Sequence, residues 1–311
     1  MASPNRTIDT SYYRELEDMF YVLTQQKKSK LENLVTVRTG IKAKSWDKNR
    51  IDATEAYDVT AANADTILIE QPFSRRRMNL LPRAWAAMLD EFDEAMMLLS
   101  PESEYVQSCL AALNRRKDSV IIAAMTGTAV SVGAADDTAG GYTNVSLPTT
   151  GGVLGIGQVI VDGGTGLTVE KLRQTMAILD ANEFPPEDRH IAWSPVAKMQ
   201  LLRTTEATST DYNTVRALVN GEIDTFLGFK FVTFGTKSPG SASLSKSGNI
   251  RQCIAWHKSA VTFGSGAVRE LSLKQRPDKN DNWQVLGKLL AGAVRMDEYG
   301  VVRLDIDESK S

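Results

Sequence analysis

The polar stretch between Val35 and Met78 limits what this chain can fold into more than any other segment. It is rich in Thr, Asp, Arg and Ala and contains no long apolar run. Two short alternating pieces, Val35–Arg38 and Thr66–Glu70, predict weak strands that flank residues 47–63 as a long hairpin. A hairpin with so little apolar surface does not bury itself, so it must lie on another surface or stay disordered. An extended arm that docks on a neighbouring subunit meets this requirement.

A run of three arginines lies at the end of this stretch. The run Arg75-Arg76-Arg77 closes it and fits either ion pairing between subunits or a solvated charge cluster. For Arg76 we expect partners on another subunit, so that Arg76→Glu would harm assembly more than stability. The residues predicted to make inter-subunit contacts are Lys42, Lys44, Asp47, Arg50, Arg75, Arg76 and Arg77.

The segment 9–34 predicts a polar helical arm with one apolar stripe. Its apolar residues recur at three- and four-residue steps and are Tyr12, Leu16, Met19, Phe20 and Leu23. A helix this short needs a partner, either in its own domain or in a neighbouring subunit.

The next region predicts two helices. Apolar spacing from Trp85 to Met96 indicates an amphipathic helix. Ser100-Pro101 then favours a new start, because Ser is a good N-cap and Pro suits the first helical position. The helical pattern runs from Glu102 until Gly127, a residue typical of helix ends. At 1.5 Å per residue this helix would be roughly 38 Å long, the length of a structural spine.

The second half mixes helices and strands without a regular βαβ repeat, which indicates the α+β class. Thr168 and Ser194-Pro195 are start signals for helices that run to Asn182 and Arg203. A short helix is predicted at 214–220, and residues 253–262 fit either a strand or a short helix. Strands are predicted at 158–161, 189–193 and 226–234, with a final pair within 283–306 around Glu298-Tyr299-Gly300.

Composition narrows the class of protein. The net charge of −2 offers no basic bulk for binding nucleic acid by phosphate neutralisation. Cys109 and Cys253 are far apart and form no CxxC pair, which favours folding in a reducing cytoplasm. Residues 1–12 carry no apolar core of a signal peptide, and the uncharged stretch 119–135 is shorter than a membrane span.

Residue patterns that carry catalysis are missing from the sequence. His190 and His257 stand in no metal-ligand spacing, and the Gly-rich stretch 151–166 lacks the GxxxxGK(S/T) pattern. The acidic residues near Asp90 fit a solvated helix face better than acid–base work. We therefore assign no catalytic, cofactor-binding or metal residue.

Taken in order, these elements resemble the major capsid proteins of tailed bacteriophages with the Hong Kong 97 fold. The resemblance covers nearly the whole chain and depends on the order and spacing of its stretches. Those that carry it include residues 21–34 (YVLTQQKKSKLENL), 74–78 (SRRRM), 114–130, 189–195 and 292–300 (GAVRMDEYG).

The resemblance implies a domain plan and a function. Residues 1–34 would be an N-terminal arm and 35–80 an extended loop lying over the adjacent subunit. Residues 81–166 and 270–311 would form a peripheral domain with the spine helix, and 167–269 an axial domain. The chain would be no enzyme; it would assemble into the icosahedral shell that encloses double-stranded phage DNA.

The resemblance also implies partners. These are further copies of the chain in hexamers and pentamers, with a scaffolding protein and a portal during assembly; whether a decoration protein binds stays open. A separate scaffold is expected because no long N-terminal region is present to act as a fused one. Packaged DNA would face the inner surface without sequence-specific binding, with no cofactor and no membrane. Assembly in the host cytoplasm and a final place in the virion follow.

Two other functions stay open at this point. An encapsulin-type compartment shell shares the fold and would need a pocket for a cargo peptide. A soluble enzyme with an unrecognised acidic site would show paired carboxylates in a closed pocket and form a small oligomer.

Overall fold

The computed structural model describes residues 26–62, 65–89, 102–133, 142–148, 157–203, 225–236, 244–267 and 271–310. Three α-helices lie in these ranges: α1 (Glu102–Thr126), α2 (Val169–Ala181) and α3 (Pro195–Arg203). The strands there are β1 (Thr36–Ile41), β2 (Ser45–Ile51), β3 (Phe73–Asn79), β4 (Leu81–Leu89), β5 (Ala129–Gly133), β6 (Tyr142–Val145), β7 (Val159–Ile160), β8 (Arg189–Trp193), β9 (Thr225–Phe226), β10 (Phe229–Thr233), β11 (Lys246–Ser247), β12 (Ile250–His257), β13 (Val261–Gly266), β14 (Leu271–Arg276), β15 (Asn282–Arg295) and β16 (Val301–Asp307). The predicted α+β class is confirmed.

The first sheet is built around β15, its longest strand. β4 pairs antiparallel with one edge of β15, from Trp283 opposite Leu89 to Ala291 opposite Leu81. β14 and β13 pair antiparallel along the other edge, and β1 adds to β13 in parallel. Alternate residues of β15, among them Val285 and Leu289, point into the main core.

Helix α1 packs against the core face of this sheet. A Cβ atom at Gly287 would overlap the Cys109 sulfur and the Leu113 side chain, so the glycine lets the helix approach β15 closely. At the far end, the fully buried Arg295 guanidinium donates to the carbonyls of Met125 and Gly127 at 2.9 and 2.7 Å. A cation at a helix C-terminus satisfies carbonyls that have no partner within the helix.

The second sheet runs in the order β7-β16-β12-β8-β10-β9, with β11 also paired to β12. Every residue of β8 is buried, including the polar Arg189 and His190, and the strand predicted at 189–193 is confirmed. The expected caps form beside it: the Thr168 hydroxyl accepts from the Lys171 amide, and the Ser194 hydroxyl from the Ala197 amide. The predicted helices up to Asn182 and Arg203 are confirmed.

A third sheet, in the order β2-β3-β5-β6, carries the hairpin. It joins the body through a small second core of Ile41, Met78, Leu80, Ala129, Val294 and Met296. The hairpin predicted from the polar stretch therefore exists, but its strands are β2 and β3. The prediction of a strand at Thr66–Glu70 is wrong, and the strand predicted at Val35–Arg38 becomes β1 of the first sheet.

The predicted helix from Trp85 to Met96 is wrong where the structure describes it, because residues 85–89 continue β4. Helical and strand spacings agree over so short a run, and the nine-residue ladder with β15 decides between them. The rest of that helix, the stripe from Tyr12 to Leu23 and the helix at 214–220 lie outside the described residues.

The other predicted elements form, some with different bounds or partners. The spine helix is α1, from Glu102 to Thr126, as predicted. The strand at 226–234 is split into β9 and β10 by a turn in which Leu227 and Gly228 have φ values of 51° and 76°. The final two strands form as β15 and β16, yet they lie in different sheets, so 270–311 is divided between both sheets. The domain boundaries stay a prediction.

Gly287→Ala tests the helix–strand contact. We expect it to lower the free energy of unfolding by about 2 kcal/mol, because the added methyl overpacks against Cys109. Adding Cys109→Ala should restore part of the loss, since it removes the overlapping sulfur. Urea unfolding measures both changes. Gly235→Ala, with open space around its Cβ, is the control and should be close to neutral.

His190 makes the fold sensitive to acid. The ring is buried, stacks on Trp256 with 5.6 Å between centroids, and its Nδ1 has no hydrogen-bond partner among the described residues. Burial lowers the pKa of His190 below its ordinary 6.5, although Asp188 opposes the shift. The folded state therefore resists a proton that the unfolded state takes up.

The stability of the subunit should fall as the pH drops below 6.5, because only the unfolded His190 is readily protonated there. In His190→Phe this part of the fall should be missing. Urea unfolding of the unassembled subunit at about pH 7 and about pH 5 measures the difference. Identical pH dependence in the two proteins would contradict the assignment.

Candidate subunit-contact surface

The β2–β3 hairpin contains five of the seven residues predicted to contact other subunits, and Lys42 and Lys44 lie just before it. Asp47 faces Arg77 across the ladder and accepts from its guanidinium at 2.8 and 2.6 Å. The hydrogen bond from Arg77 lowers the pKa of Asp47 despite partial burial, with help from the Arg77 and Arg75 charges. This pair therefore stays ionised and holds the hairpin register at neutral pH.

Arg76 corrects the sequence-based expectation. Its side chain is buried and forms an ion pair with the buried carboxylate of Glu298, in the same chain. Arg50 reaches the same carboxylate at 3.5 Å and donates to the Met296 carbonyl at 2.7 Å. Partners on another subunit were expected, but side chains alternate along β3, and Arg76 shares the inward face with Met78.

The remaining predicted contact residues are more exposed to solvent than Arg76. Lys42 and Lys44 are exposed between β1 and β2. Arg75 points to the opposite face of β3 from Arg76, and its Nε donates to the Asn49 side chain at 2.9 Å. In the structure, Arg50 and Arg76 thus both pair with the Glu298 carboxylate, and Asp47 pairs with Arg77. Sequence reasoning missed Glu298, because nothing local links it to a strand more than 200 residues away.

Residues 52–72 connect β2 to β3 and, apart from residues 63 and 64, are described without regular secondary structure. The described residues are exposed, and so are Ile51 and Phe73 at the ends of the strands. Leu68 is 88% exposed, and Val59, Ile67 and Ile69 are also largely open to solvent. The segment carries five carboxylates and no Lys or Arg: Asp52, Glu55, Asp58, Asp65 and Glu70. It is an acidic loop that displays apolar side chains away from its own core.

A buried carboxylate ties the chain entering β1 to the spine helix. Asp118 on α1 accepts from the backbone amides of Lys30, at 2.9 and 3.1 Å, and Leu31, at 3.1 Å. The Ser29 hydroxyl donates to it at 2.6 Å, and the Gln26 amide also donates. This network holds residues 26–31, which belong to the predicted N-terminal arm at 1–34, against the spine helix. The only hint of this contact in the local sequence is Ser29, a hydroxyl residue next to a turn.

Metal ligands and thiols are the other groups that could carry chemistry. In the described part of the chain no three His, Cys, Asp or Glu side chains converge as metal ligands do. Burial raises the pKa of Cys253 to about 12 and also raises that of Cys109, which disfavours the thiolate form of both. Across these same ranges no helix is both long and apolar enough to span a membrane.

Removing the Arg76 charge should destabilise the subunit. We expect Arg76→Met to lower the free energy of unfolding by roughly 3–5 kcal/mol, because Glu298 would lose its main partner while still buried. Lys48→Met is the matched control, since Lys48 faces Arg76 across the ladder and is exposed. Thermal and urea unfolding give both values. Equal stability of the two variants would mean that the Arg76–Glu298 pair contributes nothing.

Solved structures resemble the whole fold. A capsid structure of the cyanophage P-SCSP1u has a TM-score of 0.67 at 16% identity, covering 95% of this chain and 93% of that one. The acidic stable capsid structure of Helicobacter pylori bacteriophage KHP30 has a TM-score of 0.69 at 12% identity, covering 99% of both chains. The cyanophage Pam1 capsid also scores 0.69, at 10% identity, covering 97% and 98%. The predicted Hong Kong 97-like capsid fold is confirmed.

The sequence comparison gives the family. No curated protein sequence matches the chain. The model of the phage capsid protein family matches residues 8–308, nearly the full length. The chain therefore belongs to the phage capsid protein family, as a major capsid protein that forms the shell of the phage head.

Proposed function

We propose that this capsid subunit closes its shell through residues 52–72, which lie over an adjacent subunit in hexamers and pentamers. One observation carries the proposal: the loop displays apolar side chains that its own chain leaves in water, with Leu68 88% exposed. Burying a Leu or Ile side chain contributes about 1.5–3 kcal/mol. Several such contacts on every copy supply a driving force for assembly that the monomer lacks.

The hairpin suits this role mechanically. β2 and β3 pair over seven residues, and β5 and β6 extend their sheet, so the loop stands on a stiff base. Each copy presents one loop and needs one receiving surface. Such head-to-tail contacts close into rings when the rotation between copies is correct. Five- and six-membered rings built from one contact would then cover an icosahedral shell.

Other partners follow from the same role. We propose that a separate scaffolding protein and a portal act during assembly in the host cytoplasm, and that a decoration protein can join the finished shell. The net charge of −2 supports an inner wall that faces packaged DNA without gripping it. The work of the subunit is structural, without turnover of a substrate. The family match favours this function over an encapsulin-type shell or a soluble enzyme.

Replacing residues 54–70 with a short Gly-Ser turn tests the loop. A wider deletion of residues 42–66 would also remove β2, with Asp47 and Arg50, and would confuse folding with assembly. We expect the shortened subunit to unfold at nearly the same urea concentration as the natural chain and to form no shells. Negative-stain microscopy and size-exclusion chromatography, with a scaffolding protein co-expressed, measure assembly.

Thr60→Ala is the control for this replacement, because Thr60 is an exposed polar residue within the loop. That variant should assemble normally. Normal particles from the shortened subunit would refute the role of the loop.

A further inference from the structure

The chain crosses between the first and second sheets at two neighbouring places. Residues 258–260 form a short turn that connects β12 of the second sheet to β13 of the first. Residues 296–300 connect β15 of the first sheet back to β16 of the second. We call these two connections, together with His257 at the start of the turn, the joint. Both covalent links between the two sheets after β12 therefore run through the joint.

The two connections are bonded to each other. The Met296 amide donates to the Ala260 carbonyl at 2.8 Å, and the His257 amide donates to the Gly300 carbonyl at 2.9 Å. A Cβ atom at Gly300 would overlap the Cβ atom of Ala260, so the glycine lets the two connections pack closely. A shift of the turn at 258–260 therefore displaces the second connection as well.

The His257 side chain holds the turn in its present form. Its Nδ1 accepts a hydrogen bond from the Ser259 amide at 3.3 Å and lies 2.7 Å from the Ser259 hydroxyl. A ring nitrogen accepts a hydrogen bond from an amide only while it carries no proton. The turn therefore depends on the uncharged form of His257.

Burial and nearby charges control the protonation of His257. Burial lowers the pKa of His257 below its ordinary 6.5, with help from Arg189, although Asp188 and the Glu187 backbone oppose the shift. The ring is therefore uncharged at neutral pH and takes up a proton only in acid. The charged groups on the elements packed against it are Asp180 of α2, which pairs with Arg189, Glu187 and Asp188 before β8, Arg189 on β8, Lys258 in the turn and Asp297 in the second connection.

Open space lies beside the joint. A cleft of about 770 Å³ separates the joint from the root of the hairpin, and Ser259 and Tyr299 form part of its wall. The charged residues that line it are Lys48, Arg50 and Asp52 on the hairpin side and Asp297 and Glu298 on the side of the joint. The turn at 258–260 therefore has room to open without overlapping another element.

We infer that the joint is an acid-sensitive device. A proton on Nδ1 of His257 breaks the hydrogen bond with the Ser259 amide, opens the turn and lets the first and second sheets shift against each other in the assembled shell. The added charge lies close to Arg189 and Lys258, which disfavours the closed arrangement further. This inference goes beyond the proposed role of residues 52–72 and does not depend on it.

Hydrogen exchange in assembled shells tests the inference. Exchange would be followed by mass spectrometry at about pH 7 and about pH 5, with rates corrected for the intrinsic effect of pH. We expect the amides of residues 258–260 to exchange roughly fivefold faster at the lower pH, the effect of losing one ordinary hydrogen bond. Exchange in α1 should stay unchanged and serves as the reference. Light scattering on the same samples should show a change in shell diameter.

His257→Asn is the test variant, because its side-chain oxygen can accept from the Ser259 amide and does not titrate. In this variant neither the exchange of the turn nor the shell diameter should respond to acid. His190→Phe is the matched control. His190 is also a buried histidine, but it stacks on Trp256 and faces the opposite side of the second sheet from His257. Shells of His190→Phe should respond to acid as shells of the natural chain do.

Several outcomes would overturn the inference. One is an acid response in His257→Asn equal to that of the natural chain, and another is a response that is lost in His190→Phe. An unchanged shell diameter overturns it even where the turn exchanges faster. Faster exchange throughout the subunit, α1 included, would indicate general unfolding and also counts against it. If a variant forms no shells, exchange in the unassembled subunits at the two pH values decides between these outcomes.

Discussion

The close packing of α1 on β15 is the constraint on which the rest of this subunit depends. Gly287 lets the helix approach the strand, and Arg295, from the end of the same strand, caps the helix C-terminus. With the helix in place, the two edges of β15 accept β4, β13 and β14. The face opposite the helix then receives the root of the hairpin through the second core. The position of the loop at 52–72 therefore depends on the contact between α1 and β15.

Buried charges attach the outlying parts of the chain to this body. Asp118 holds the segment before β1 through two backbone amides, and the Arg76–Glu298 pair holds the hairpin to the turn before β16. Breaking such a pair is costly, whereas forming it adds little stability over apolar packing. Their benefit is geometric: each permits one orientation of an extended element. A subunit that must match identical copies needs that precision at its arms.

The exterior shows the reverse arrangement, because it exposes apolar side chains where the interior buries charged ones. Residues 52–72 combine exposed apolar side chains with five carboxylates and no Lys or Arg. Like charge on these loops disfavours contact between two free loops. Known capsids with 10–16% identity reach the same fold, because cores tolerate changed side chains when pattern and volume are kept.

The sequence by itself determined the elements whose signals are local. The span of α1 and the caps at Thr168 and Ser194 can be read from neighbouring residues, because helix periodicity and capping act within a few positions. Only the tertiary structure decided the rest. Residues 85–89 join β4 because β15 offers a nine-residue ladder, and β15 and β16 lie in different sheets despite a short connection. Arg76 turns inward because Glu298, 222 residues away, lies beneath it. Strand partners and side-chain facing depend on such distant contacts, and no local pattern contains them.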